Sequence, residues 1–287
     1  MGCPSGMFCG VKQQTSQKPV ASPAQTREAL LERAARDFAP IRRAFVQKKR
    51  DEADRSSRLA EFVTNGDVRG LRAYLFIVAI TSAETAESGW STTLPGMVWA
   101  RTFGTTEDAT PASARTAVTK VLKRLEERRL ITYERPKGTW DIQVTLLRED
   151  GSLDPYTRPG NQNRDAYLKI PFELWRTGLI DQLGLPALAM LLTASCEPAF
   201  FELPTERMKE WYGWSPDTAE RGFRQLAKEG VLQVHKTYIA APLSPTGTAE
   251  VNRYVLLPPF IARSARKKAP STDNPVETTG DAQALGQ

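Results

Sequence analysis

Hydrophobic and polar positions along this chain alternate between periodic runs and stretches with no period. Residues 1–26 are rich in Gln, Ser, Pro and Gly and read as a disordered tail. From 27 to 63, Ala34, Phe38, Ile41 and Phe45 recur at i, i+4, i+7 and i+11, which predicts a charged helical arm that Pro40 kinks or divides. Ten basic and seven acidic residues make most of this arm a solvated face, so its stripe needs a partner: the body of the protein, or a second subunit in a homodimer. Beyond residue 65 the text is more apolar. It predicts a buried helix over 68–81, a second helix over 90–103 opened by Leu94-Pro95, and a long amphipathic helix over 110–130. Thr110 is the expected N-cap of that helix and Pro111 its first residue, where a missing N–H costs nothing. The run ITYERPKGTWDIQVTLL alternates on both sides of Pro136-Lys137-Gly138 and predicts a strand–turn–strand.

Residues 148–165 (REDGSLDPYTRPGNQNRD) carry few apolar side chains and read as an exposed linker. A second unit follows over 166–260. It has a short strand at 166–170, helices over 172–179, 186–195, 204–212 and 215–229, and strands at 231–236 and 252–257. Residues 261–287 read as a second disordered tail, with a basic cluster at Arg263, Arg266, Lys267 and Lys268.

The two units repeat one another. Leu94-Pro95 stands eight residues before Gly104, and Leu203-Pro204 eight before Gly213. Each glycine is followed by a cap–proline pair, Thr110-Pro111 or Ser215-Pro216, and then by an amphipathic helix reaching Leu125 or Leu226. Four mostly polar residues, an apolar pair and a hairpin come next in both. The first helix is longer by about one turn. Helix, helix, turn, helix and hairpin make a winged helix-turn-helix, in which the helix after the turn can enter the major groove. The expected fold is therefore mainly α with small β-hairpins (α+β): tandem winged helix-turn-helix domains at 65–147 and 166–260, with an N-terminal helical arm.

Composition narrows the function. The chain has 287 residues and a formal net charge of +6, which permits a polyanion partner without requiring one. One histidine and three cysteines (Cys3, Cys9, Cys196) leave no metal-ligand spacing, and no phosphate-binding glycine loop is present. No metal, no cofactor and no enzyme activity are expected. The longest apolar stretches, 73–80 and 183–194, fall short of a bilayer span, so no membrane partner is expected. The opening MGCPSGMFCGVKQQ lacks a secretory pattern, and Gly6 stands where myristoylation would want Ser or Thr. A cytoplasmic, nucleoid-associated protein fits best.

The charge becomes informative once placed. Residues 110–137 carry eight basic against three acidic side chains. Ala114, Val118, Leu122 and Leu125 form the inward stripe of the long helix. Arg115, Thr116, Thr119, Lys120 and Lys123 point elsewhere and are the candidate DNA contacts, joined by Arg135 and Lys137 of the hairpin. Arginine can bridge guanine O6 and N7, while lysine and threonine can hold phosphates. In the second unit Ala219, Phe223 and Leu226 face inward, leaving Arg221, Arg224, Lys228 and the hairpin residue Lys236 as candidates. Asp217 and Glu220 dilute that face, so the first unit should supply more of the electrostatic affinity. His235 reads as a surface or packing residue, and Trp99, Trp211, Tyr212 and Trp214 as core.

The segments AYLKIPFELWRTGLIDQLGLPALAMLLTAS, WYGWSPDTAERGFRQLAKEGVL, APLSPTG and RYVLLPPF lie within about a third of the chain. Together they resemble a group of actinobacterial helix-turn-helix proteins of undefined role, through the core W-Y-G-x-S-x-D-T-A-x-R-G. That resemblance implies a DNA-binding winged helix in a transcriptional regulator. The YLKIP strand before a helix-turn-helix is also similar, more loosely, to the N-terminal domain of plasmid replication initiator proteins. The expected partner is double-stranded DNA, read sequence-specifically by a transcription regulator at a two-part site. The alternatives are a DNA replication initiator at origin repeats, and a winged-helix protein-interaction module docked through 27–63.

Overall fold

Ser22 opens the first helix with a capping box: its hydroxyl accepts from the Gln25 amide at 3.1 Å, and the Gln25 side chain accepts from the Ser22 amide at 2.9 Å. Helix α1 (Pro23–Leu31) follows, inside what composition alone marks as a disordered tail. The computed structural model describes residues 20–48, 57–86, 89–160 and 165–261; the remainder of both expected tails lies outside the described residues, with the basic cluster at Arg263–Lys268.

The expected helical arm is not one helix. Strand β1 (Phe38–Arg42) interrupts it, followed by the short helix α2 (Arg43–Val46) and by α3 (Arg58–Thr64). The helical spacing of Phe38, Ile41 and Phe45 is real, but strand pairing overrides it. Pro40 offers no amide to a ladder, and β1 has one neighbour only, which is where a sheet tolerates proline. Ile41 and Phe45 of the stripe are fully buried within the chain, as are Leu31, Ala39 and Val46, while Ala34 and Phe38 are half-buried.

The first repeat comprises α4 (Val68–Ile80), β2 (Ser91–Pro95), α5 (Gly96–Thr102), α6 (Pro111–Glu127), β3 (Ile131–Glu134) and β4 (Asp141–Leu146). The helix expected over 90–103 starts only at Gly96. Thr92 and Thr93 before it pair with Val144 and Gln143, as β-branched residues beside an open edge do. The second repeat opens with β5 (Tyr167–Pro171), α7 (Glu173–Arg176) and α8 (Leu179–Gln182). It continues through α9 (Leu185–Ser195), β6 (Phe201–Glu202), a 3-10 turn (Thr205–Arg207), α10 (Met208–Tyr212), α11 (Pro216–Lys228), β7 (Leu232–Ala240) and β8 (Thr248–Leu256). The chain is thus mixed α+β with three small antiparallel sheets. One sheet has strand order β2-β4-β3 and another β6-β8-β7, so the repeat seen in sequence is also a repeat of topology. The second hairpin pairs as far as Ala240 and Thr248, several residues beyond the strands expected at 231–236 and 252–257.

The third sheet is β1 with β5, in register from Phe38 opposite Pro171 to Arg42 opposite Tyr167. It ties the N-terminal segment to the second repeat. The supposed linker at 148–165 is part of the same junction and is not exposed throughout. Leu147 bridges Pro155, Tyr156 is buried, and Glu149 is completely buried. Hydropathy misses this because the buried groups are ionic. Arg42 is 1% exposed. Its guanidinium bonds Glu149 at 2.5 Å, Asp165 at 2.8 Å and the Thr157 hydroxyl at 2.8 Å. Burial pushes Glu149 above the usual carboxylate range against the pull of Arg42.

Each repeat packs its first long helix against the helix after the turn. In the second, Gly222 makes this possible: a Cβ there would lie 2.5 Å from both the Pro186 carbonyl oxygen and Met190 Cγ. Across the junction Phe76 of α4 meets Trp175 of α7 edge to face at 5.9 Å.

Two outcomes follow for urea unfolding. Arg42→Met should lower stability by about 3–5 kcal/mol, because Glu149 is left buried without its cation. Adding Glu149→Gln should recover part of that loss. Gly222→Ala should cost about 1–3 kcal/mol through overpacking of α9 against α11, with no change in helix content by circular dichroism.

Candidate nucleic-acid interface

Helix α6 is set by its cap and its inner stripe. The Thr110 hydroxyl accepts from the Ser113 amide at 3.2 Å, and Pro111 occupies the first turn. Ala114, Val118, Val121, Leu122 and Leu125 are buried. Thr116, Lys120 and Lys123 are exposed on the other side, with Arg115 and Thr119 half-exposed. The hydroxyls of Thr116 and Thr119 donate back to the Ala112 and Arg115 carbonyls. Five of the expected contacts therefore share one accessible face.

The hairpin joins that face. Arg135 Nη2 donates to Thr119 Oγ1 at 2.7 Å, and Lys137 is exposed in the turn. Trp140, which the sequence reading did not single out, is 78% exposed, with the Arg115 guanidinium 5.3 Å from its ring centroid. A signal for it exists. Trp140 has the same parity as Ile142, Val144 and Leu146, the inward residues of β4. It lies just past the sheet, however, where there is no core to cover it. The Gly96 amide donates to its carbonyl at 3.0 Å. Its neighbours on that side are Gly96 and the Arg115 side chain.

Two of the eight basic residues in this stretch do a different job. Arg124 Nε and Nη2 donate to Asp67 at 2.9 and 3.0 Å, and Arg128 Nη1 reaches the same carboxylate at 2.9 Å. Asp67 also caps α4 by accepting from the Gly70 amide at 2.9 Å. Arg128 lies 4.4 Å over the Phe62 ring. This clamp bolts the C-terminal half of α6 to α4. Arg115, Lys120, Lys123, Arg129, Arg135 and Lys137 remain outward. Lys123 lies 3.9 Å from Glu127 with both side chains mostly in water, a pairing worth little.

The second repeat presents less free charge. Ser215 caps α11 by accepting from the Thr218 amide, and Ala219, Gly222, Phe223 and Leu226 face inward. Arg221 is paired with Asp217 at 3.0 Å, and Lys236 with Glu250 across the hairpin at 2.8 Å. Arg224 and Lys228 are exposed with no ion pair among the described residues. The hairpin surface is apolar where a basic wing is expected: Tyr238, Ile239 and Leu243 are all exposed. His235 packs against Phe200, ring centroids 5.2 Å apart. Trp99, Tyr212 and Trp214 are buried and Trp211 half-buried. No hydrogen bond or ion pair among the described residues links α6 to α11, so each repeat keeps its own basic face.

No helix among the described residues is long and apolar enough to cross a membrane. Comparison of the chain with known protein families, with curated proteins and with solved structures finds no match.

The clamp carries a pH dependence. Burial opposes the Asp67 charge, but the bonds from Arg124 and the Gly70 amide, with Arg128 nearby, hold its carboxyl below the ordinary aspartate range. A depressed folded-state pKa stabilises the fold above the unfolded value, and that contribution is lost as pH falls through the folded value. Asp67→Asn should therefore lower stability by about 2–4 kcal/mol at neutral pH. Thermal unfolding across pH should show the gap between variant and parent closing below about pH 4.

Proposed function

We propose that this chain is a sequence-specific double-stranded DNA-binding protein, built from two winged helix-turn-helix units at 65–147 and 166–260, and that it acts as a transcriptional regulator at a two-part site. The observation that carries this reading is the convergence on one accessible edge of Arg115, Thr116, Thr119 and Lys120 from α6 with Arg135 and Lys137 from its hairpin. A helix face and a wing that share one basic edge can meet base edges and phosphates of the same duplex. The repeated strand order of the two sheets supports a second reader of the same design. Arg221 and Arg224 on α11 would supply its contacts, with Lys228 and Lys236 at the margin. Their partial neutralisation by Asp217 and Glu250 makes the first unit the main source of affinity.

A replication initiator at origin repeats is the second reading. Origin repeats, like a regulator's two-part site, would be met by α6 of the first unit and α11 of the second. Genome-wide mapping of bound DNA separates the two by site arrangement and neighbouring genes.

In mobility-shift assays with mixed genomic fragments at physiological salt, the protein should give nanomolar, sequence-preferring shifts. Arg115→Ala with Lys120→Ala should weaken binding at least about tenfold and flatten the slope of log affinity against log salt by about 1 to 2. An unchanged slope with unchanged affinity would overturn the proposal.

A further inference from the structure

The junction between the two repeats encloses a cavity of about 290 Å³. Its walls come from four places: Arg27 of α1, Arg69 and Arg72 of α4, Glu107 from the segment before α6, and Trp175 and Asp181 of α7 and α8. Phe76, Phe103 and Ile180 give it an apolar floor. The volume is just below the usual range for small-molecule sites, and the lining is mostly polar over that apolar floor, as suits a small charged ligand.

Three nitrogens of residues that line it, Arg27 Nε, Arg72 Nε and Trp175 Nε1, are buried behind its surface and have no hydrogen-bond partner. Arg27 is 8% exposed and Trp175 4%. Buried donors are nearly always satisfied, so the three orphans mark an uncompensated polar environment behind the cavity wall. Charge points the same way. Arg27 Nη2 is paired with Asp181 at 2.8 Å, while Arg72 Nη2 bonds only the backbone carbonyls of Asp181 and Leu183. Three guanidinium groups thus face two carboxylates, Asp181 and Glu107. Burial, and then the neighbouring Arg27 and Arg69 charges, hold Arg72 below the usual arginine value against the pull of Asp181.

We propose that this cavity is a binding site for a small organic anion, with a phosphate or carboxylate head among Arg27, Arg69 and Arg72 and an apolar body against Phe76 and Phe103. Guanidinium forks match both oxyanions bidentately. Asp181 acts as the internal counter-ion that the ligand displaces from Arg27.

Thermal unfolding of the full chain without DNA tests this, so its result is independent of the proposed function. The probes are phenyl phosphate, benzoate and inorganic phosphate, each against sodium chloride at equal ionic strength. A saturable rise in Tm of about 5 °C at a hundredfold excess over Kd is expected for phenyl phosphate or benzoate. Phenyl phosphate and inorganic phosphate responding together would identify a phosphate head, and benzoate alone a carboxylate. Arg72→Gln should abolish the response. Asp181→Asn should tighten binding severalfold by removing the competing carboxylate, and it decides the matter should Arg72→Gln not fold. No saturable response beyond that to chloride, or the same response in parent and Asp181→Asn, would overturn the proposal.

Discussion

One guanidinium, that of Arg42, is buried at the meeting of four parts of the chain: its own strand β1, Glu149 after the first repeat, Thr157 in the connecting segment, and Asp165 before β5. Taking such a charge out of water is unfavourable by several kcal/mol, and the cost is offset only where several acceptors meet it in good geometry. Two carboxylates and a hydroxyl do so here. The consequence is architectural. With Arg42 in place, β1 lies along β5, the connecting segment folds back over both, and the repeats are fixed against one another. Hydrophobic contacts such as Phe76 on Trp175 then finish a junction whose course was set by the ionic group.

The two repeats share a topology and differ in how they hold the helix after the turn. In the first, an acid on α4 grips two arginines on α6, so a polar clamp fixes the helix and its remaining cations face outward. In the second, Gly222 lets α11 come so close to α9 that a methyl group would meet the Pro186 carbonyl, and Gln225 of α11 accepts from the Gly184 amide and donates to the Gln182 carbonyl, so close packing and one neutral side chain fix the helix. The outward charges diverge accordingly. The first face keeps free cations and an exposed Trp140, whereas the second pairs Arg221 and Lys236 with its own acids and exposes Tyr238 and Ile239 instead.

Much of this was legible residue by residue. The inward stripes Ala114–Val118–Leu122–Leu125 and Ala219–Phe223–Leu226 are buried as their spacing requires. Both cap–proline pairs start their helices where expected. The misreadings have physical causes. Phe38, Ile41 and Phe45 keep helical spacing, yet β5 claims the backbone of Phe38 and Ile41, and only Phe45 lies in a helix. Arg124 and Arg128 looked like surface charge because nothing in a linear text says that Asp67, some sixty residues earlier, is their neighbour. The 148–165 segment looked exposed because hydropathy has no way of scoring a buried carboxylate that meets its arginine.

Local periodicity and capping chemistry determined the elements of this protein, their order and their duplication, because those depend on neighbours a few residues apart. Composition and spacing likewise marked the basic face of α6. Which charges stay free to meet a partner, and which are consumed in holding the fold, was decided only by tertiary structure. An arginine's role depends on which carboxylate folding brings within 3 Å of it, and here those partners, Asp67 for Arg124 and Glu149 for Arg42, are distant in sequence. The same long-range convergence made a cavity lined by Arg27, Arg69 and Arg72, whose nearest carboxylates, Asp181 and Glu107, nothing in the linear pattern connects to them.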